Sequence, residues 1–378
     1  MEPGRSAIGT WSGGRFLRFG EAVEEDRLAA LLRPGDGIDT VLSADAYGAG
    51  EADRLLGRAL SGVPRDSYSL IGAVGHDFYA GERDGPRGFP RFTDPRLRGP
   101  GEFADYLRMA AERSLERIGA SSFDVLLLHN PDRTGYSSEA VWDGMAALRE
   151  EGLAAAIGVA PGPANGFTLD LIACIEHFGE RIDWAMIILN PFEPWPGELC
   201  LEAAERHGVR VITRVVDYGG LFWDDLRPGM ELAHGDHRAF RPAGWIEEGL
   251  ERLERVAPIA ARRDLTTIQL ACHWNLAHPA VECVVPTLIQ EAGEGARPIE
   301  RKRAELAALP VEPRLSEEEV EAIRAVGDNT GCMALKGASA THDGEERPDR
   351  WSLSDELVAA GARWGITPDR IAERNMPS

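Results

Sequence analysis

The residues able to do chemistry in this chain stand where apolar runs stop. Asp45 and Tyr47 follow the run at 38–43, and His76 and Asp77 follow the run at 67–74. His129 and Asn130 close the segment VLLLHNPD, Asn190 ends the run at 185–190, and Arg214, Asp217 and Tyr218 cluster around the end of the run at 210–216. Imidazole, phenol and carboxyl groups together offer acid–base capacity, because neighbours can tune each towards the operating pH. His76 and Asp77 are candidates to assist such chemistry, or else solvated loop residues. A strand-end arginine such as Arg214 can clamp a carboxylate or phosphate through two parallel N–H bonds; the alternative is an ion pair with Asp217, three residues on. Asp45, Asn130, Asn190 and Asp217 are the polar groups left to bind substrate. His76, Asp77, His129 and Asp45 are of types that suit a divalent ion, but no short ligand motif joins them, so no metal site is expected.

These positions need elements to carry them to one place. Strand-like runs at 7–11, 38–43, 67–74, 125–129, 156–160, 185–190, 210–216 and 281–286 alternate with amphipathic helical patterns, among them 51–60, 102–118, 138–150 and 245–263. Such alternation implies a parallel sheet with crossover helices, and eight strands fit a closed (β/α)8 TIM barrel, an α/β fold. In that fold the loops after the strands' C-terminal ends form the active site, which is where the polar residues above fall. Two long βα loops, 78–101 (rich in Gly, Pro and Arg) and 222–244, are placed to cover the mouth. The barrel is predicted over residues 1–330. Residues 331–378 read as a C-terminal extension packed on it, with a helical pattern at 353–364 and too little length for a domain of its own.

Composition bounds the partners. The chain has 378 residues, 43% hydrophobic and 27% charged, with a formal charge of −21 that opposes binding to nucleic acid or an anionic membrane. No apolar run is long enough to cross a bilayer, and the first residues lack the basic and apolar regions of a signal peptide, so a cytoplasmic protein is expected. Five scattered cysteines without a CxxC pair read as buried reduced thiols.

Several segments in order, Gly9-Thr10-Trp11, GIDTVLSADAYGAGEADRLLGRAL, FDVLLLHNPD, Ile157-Gly158-Val159 and QLACHWNLAHPAVECVVP, resemble the aldo/keto reductases over roughly residues 7–330. The resemblance implies the barrel, an NADP(H)-type cofactor extended across its mouth, and a Tyr/Asp/Lys/His tetrad that protonates a carbonyl during hydride transfer. It puts the tyrosine on Tyr47 and the histidine on His129, but the aspartate on Leu42 and the lysine on Ala73. The paired loss reads as an apolar repacking, since a buried ion pair can be exchanged for two apolar residues whereas losing one partner is costly. The carboxamide-binding Ser-Asn and Gln fall on Ala160-Pro161 and Met186, the ring-stacking aromatic on Arg214, and the pyrophosphate segment on Val215-Val216-Asp217. Thr10 and Trp11 stay as cofactor-side positions, and Arg297 and Arg301 fall on phosphate-contacting ones, with a solvated helix start as their alternative; Glu305 replaces an adenine-contacting asparagine.

Three functions follow. One is a cofactor-free acid–base enzyme (a dehydratase, epimerase or isomerase of a small hydroxycarbonyl or sugar-like metabolite) using Tyr47 and His129 with help from His76 or Asp77. Another is an NADP(H)-dependent carbonyl oxidoreductase with a divergent tetrad. The third is a non-catalytic barrel used for binding.

Overall fold

The computed structural model describes residues 1–85, 88–293 and 295–372. Eight parallel strands pair in sequence order: β1 (Ala7–Gly9), β2 (Thr40–Leu42), β3 (Ser69–Val74), β4 (Phe123–His129), β5 (Ala154–Ala160), β6 (Trp184–Ile188), β7 (Arg210–Arg214) and β8 (Val281–Val285). A parallel bridge between Ser6 and Val284, with the Val284 N–H donating to the Arg5 carbonyl at 2.9 Å, brings the last strand against the first. The nearly closed TIM barrel predicted from the alternation is therefore present.

The period of two in each strand sorts residues into two cores. Leu42, Ile71, Ala73, Val125, Leu127, Met186, Ile212 and Val285 fill the interior, whereas Val41, Leu70, Leu126, Leu128 and Val211 pack outward under the helices. Both sets are buried, which is why β4 reads as an unbroken apolar run. The helices meet the outer set with their own apolar faces. In the helix Glu51–Leu60, Ala52, Leu55, Leu56, Ala59 and Leu60 are buried at helical spacing. Each fully buried Leu or Val contributes about 1.5–3 kcal/mol, so the two cores together hold the barrel closed.

Several strands stop earlier than the apolar runs suggest. β2 ends at Leu42, β6 at Ile188 and β7 at Arg214. Beyond β7 the backbone turns at Val215, whose φ is +61°, and beyond β6 the Asn190 side chain captures the Phe192 N–H at 2.9 Å. The polar rim leaves the sheet because side chains and turns take over its hydrogen bonds.

The C-terminal segment lies against the same rim. The Phe167 N–H donates to the Lys336 carbonyl and the Lys336 N–H to the Asn165 carbonyl, at 2.9 and 3.0 Å, so the tail adds an edge to the loop after β5. Strands β9 (Gly337–Ser339) and β10 (Arg350–Ser352) follow, then the helix Asp355–Arg363, which packs on the helix Thr168–Phe178. Trp351 is buried beside Tyr136 and Phe167, and its indole donates to Asp170 Oδ1 at 3.0 Å. Gly166 allows this closeness, since a Cβ there would meet the Lys336 carbonyl oxygen at 2.2 Å.

Candidate active site at the barrel mouth

Strand parity explains what meets at the mouth. His129 continues the inward series Val125, Leu127, and Arg214 continues from Ile212, so both point into the barrel opening. Tyr47 sits in the turn after β2, its N–H donating to the Ala44 carbonyl at 3.0 Å. Its ring stands edge-on to His129 with centroids 5.6 Å apart, and Trp11 lies 6.3 Å from Tyr47 on the other side. His76 completes the row, 5.1 Å from His129.

The loop after β3 folds back as a short hairpin. The Asp77 N–H donates to the Pro90 carbonyl at 2.8 Å and the Phe92 N–H to the Gly75 carbonyl at 3.0 Å, and His76 bridges Arg91. Gly75 permits the fold, because a Cβ there would meet the His129 carbonyl oxygen at 2.6 Å. Arg91 is thereby carried into the mouth. Its Nη1 lies 3.1 Å from His76 Nδ1 and its Nε donates to the Asn130 carbonyl. His76 Nδ1 also lies 3.0 Å from the Phe89 carbonyl, and its Nε2 lies 3.1 Å from the Asn130 amide nitrogen. With both ring nitrogens engaged, His76 is a scaffold for Arg91 and Asn130.

His129 is different. It is buried, and among the described residues its Nδ1 has no hydrogen-bond partner. Burial, then the Arg91 and Arg214 guanidiniums, push its pKa down to about 3, so the imidazole is neutral at physiological pH. Burial raises the Tyr47 phenol above its usual value while Arg214 opposes the rise, which keeps the proton on the hydroxyl near neutrality. Arg214 donates through Nη2 to the carbonyls of Pro161, at 3.2 Å, and Gly162. Beside it a cavity of about 20 Å³, lined by Pro161, Asn165, Ile187, Pro196 and Cys200 among others, has room for one water.

Other predicted site residues are placed elsewhere or are already engaged. Leu42 and Ala44 point inward, so Asp45 points outward; it is fully buried, and its charged neighbours are Asp53, Arg117 and Asp77. Burial, then Asp53, raise its pKa well above the ordinary carboxylate value. Asp77 accepts the N–H groups of Tyr79 and Ala80 at 3.0 and 2.9 Å and pairs with Arg98, which fixes the loop. Asn190 donates to Glu193 and to the Val215 carbonyl, at 3.0 and 3.1 Å. Asp217 accepts the N–H groups of Thr287 at 2.7 Å and Gly220 at 2.8 Å, and among the described residues it forms no ion pair with Arg214. Thr10 is buried with its hydroxyl unpartnered. Arg297 donates to the Trp223 carbonyl at 2.6 Å and pairs with Glu305, whereas Arg301 is exposed. Among the described residues no group of three His, Cys, Asp or Glu is arranged to hold a metal ion.

The sequence profile of the aldo/keto reductase family matches residues 7–328. This chain belongs to the aldo/keto reductase family. Its relatives include a 6-dehydroglucose reductase of Agrobacterium fabrum, 24% identical over 325 residues that cover 82% of this chain and 90% of that protein. A D-threo-aldose 1-dehydrogenase of a Pseudomonas species is 25% identical over 318 residues, covering 80% and 89%. The fold is that of a glycerol dehydrogenase of Gluconobacter oxydans, with a TM-score of 0.64 at 21% identity over 85% of this chain and 90% of that one.

The family resemblance implies a nicotinamide cofactor, and the residues at its place do not fit one. Ala160 and Met186 belong to the interior apolar core and supply no donor or acceptor side chain for a carboxamide. Arg214, in the ring-stacking position, reaches across to the carbonyls of Pro161 and Gly162. Its positive charge opposes a ring that becomes cationic on oxidation. The amide donors of Gly220 and Thr287 are taken by the Asp217 carboxylate. Farther along, Arg238 pairs with Asp236 and Glu291, Lys302 with Asp225, and Arg297 with Glu305. Leu42 and Ala73, on which the resemblance puts the aspartate and the lysine, lie together in the same interior core.

Sequence reading missed Arg91. It sits in a Gly/Pro/Arg-rich loop at no fixed offset from a strand, and only the hairpin pairing with His76 brings it to the mouth. Tyr136 was missed likewise; it is buried, its hydroxyl has no partner among the described residues, and it lies within electrostatic reach of Arg91 and Arg214.

Proposed function

We propose that this aldo/keto reductase family member is an acid–base catalyst for a small hydroxycarbonyl or sugar-like metabolite, and that it transfers no hydride. The observation that carries the reading is the filled nicotinamide cradle, with Ala160, Met186 and Arg214 where a carboxamide and ring need polar anchors and an aromatic face. The polar groups retained at the mouth support it. Tyr47, protonated, donates its proton to the substrate's carbonyl oxygen. His129, neutral, takes a proton from the neighbouring carbon that bears the hydroxyl. Returning the two protons to the exchanged positions isomerises or epimerises the substrate without net redox; where the next carbon carries a further hydroxyl, its departure from the same enediol as water, protonated by the His129 imidazolium while the enediol proton returns to Tyr47, gives a dehydratase. Trp11 walls one side of Tyr47, and Asn130 holds His76 and Arg91 in place.

Family membership and the sugar-directed relatives favour a second reading, NADP(H)-dependent carbonyl reduction. The two part in one experiment. Small hydroxyaldehydes and hydroxyketones are incubated with the protein in D2O and followed by proton NMR, while NADPH is titrated against the fluorescence of its nine tryptophans. Acid–base chemistry gives carbon–deuterium exchange without cofactor, lowered by 10²–10⁴-fold (roughly) in Tyr47→Phe or His129→Gln. Quenching by NADPH with carbonyl-dependent cofactor oxidation would instead establish the reductase and remove the proposal.

A further inference from the structure

Several arginines that lie largely out of solvent in this protein have a carboxylate against them. Arg98 pairs with Asp77, Arg238 with Asp236 and Glu291, and Arg241 with Glu193. The two at the mouth do not. Among the described residues neither Arg91 nor Arg214 has an acidic side chain within ion-pair distance, although the chain carries 62 Asp and Glu against 41 Lys and Arg. The acids nearest in electrostatic terms to Arg91 are committed elsewhere. Asp132 accepts from Thr93 Oγ1 at 2.7 Å and caps a helix through the Gly135 N–H, and Asp349 pairs with Lys336 at 2.7 Å. Leaving a guanidinium desolvated and unpaired costs several kcal/mol, and a fold that keeps two of them beside one opening is arranged for a counter-charge that arrives from outside.

Their free donors are suited to that. Arg91 donates through Nε to Asn130 and holds Nη1 3.1 Å from His76 Nδ1, and Arg214 spends Nη2 on two carbonyls, so among the described residues Nη2 of Arg91 and Nε and Nη1 of Arg214 have no protein partner. His129 stands within reach of both charges with its own Nδ1 buried and, among the described residues, unpartnered, and Tyr136 feels both as well. We infer that the mouth binds an oxyanion group, the carboxylate or phosphate of an acidic hydroxycarbonyl substrate, between Arg91 and Arg214. The inference rests on the reading above for the place of the reacting centre, and it gives that centre a substrate class. It also gives the low basicity of His129 a use. Neutralising the two guanidiniums removes the two lesser influences that suppress its basicity while burial, the largest, stays, so the substrate's own charge raises the basicity of the imidazole.

Binding tests this without requiring turnover. Glycerate and glycerol phosphate serve as anionic probes and glycerol as the neutral one, each titrated by calorimetry at low salt against the full chain. At least one anion is expected to bind while glycerol does not, with affinity lowered at least tenfold in Arg91→Gln and again in Arg214→Gln and unchanged in Arg297→Gln. Which anion binds names the group. Folding is checked by Tm: each mouth variant should keep the apo value or exceed it, because an unpaired buried charge has been removed. Arg91→Lys should retain part of the affinity. The His129 imidazole resonance, followed by NMR, should titrate at higher pH once the anion is bound. No anion binding at millimolar concentration would overturn the inference, as would binding that survives both mouth substitutions or is lost with Arg297. If neutral hydroxyketones exchange deuterium while no anion binds, the acid–base reading stands and this one falls; anion binding without exchange has the opposite meaning.

Discussion

Leu42 and Ala73 can be returned to charged residues, and the energetics of doing so test whether the two positions share one interior. Leu42 pairs in register with Ile71, two residues before Ala73 on the adjoining strand, and both side chains are in the interior core, 2% and 8% exposed. A lone carboxylate in Leu42→Asp must keep its proton there. Holding an aspartic acid neutral at pH 7 against a normal pKa near 3.9 costs about 4 kcal/mol, and only about 1.5 kcal/mol at pH 5. A lone amine in Ala73→Lys, held neutral at pH 7 against a normal value near 10.4, costs about 4.6 kcal/mol, plus strain from filling space made for a methyl group. The double variant ionises as a pair and recovers part of both costs, so a coupling of about 1–3 kcal/mol in the stabilising direction is expected. Guanidinium unfolding of the four proteins at pH 5 and 7 measures the cycle. The Leu42→Asp protein should also regain stability on acidification, since its folded pKa is raised and neutral aspartic acid is tolerated at low pH. Strict additivity, with coupling under about 0.5 kcal/mol, would refute the claim that the two sites face one another inside the barrel.

Two further outcomes concern pH. His129 has its folded pKa depressed to about 3, so its contribution is present above the unfolded value near 6.5 and is lost as pH falls; from pH 6.5 to 5 this loss is about 2 kcal/mol, and unfolding curves of His129→Asn should lack that part of the acid limb. Asp170, which receives the Trp351 indole and the Ala338 N–H from the tail, has its pKa raised to about 6, chiefly by burial. Its contribution is therefore full below pH 3.8 and fades as pH rises through 6, by about 3 kcal/mol, so proteolysis of the tail should quicken between pH 5 and 7 in the parent protein but not in Asp170→Asn, whatever that variant's absolute offset.

The barrel was legible because its signals are local and periodic. Unbroken apolar strands such as Phe123–His129, helical spacing in Glu51–Leu60 and their strict alternation admit few other folds, and the helix bounds agree within a residue or two. The positions of Tyr47 and His129 follow from the same pattern, since a strand end fixes where its last residue stands. Which way a rim residue turns is another matter. Asp45 and Tyr47 are two residues apart, yet one faces the helices and the other the mouth, because the chain leaves the pleat between them. Asp77, Asn190 and Asp217 carry the right chemistry at the right ends, but backbone amides and neighbouring side chains claim them, and a hydrogen-bond partner distant in sequence leaves no mark on the residue itself. The sequence by itself determined the barrel and the inward parity that exposes His129 and Arg214. Only the tertiary structure decided which charges are neutralised and which stand alone, because pairing depends on loops such as the one bearing Arg91, whose path is set by long-range contacts and not by periodicity.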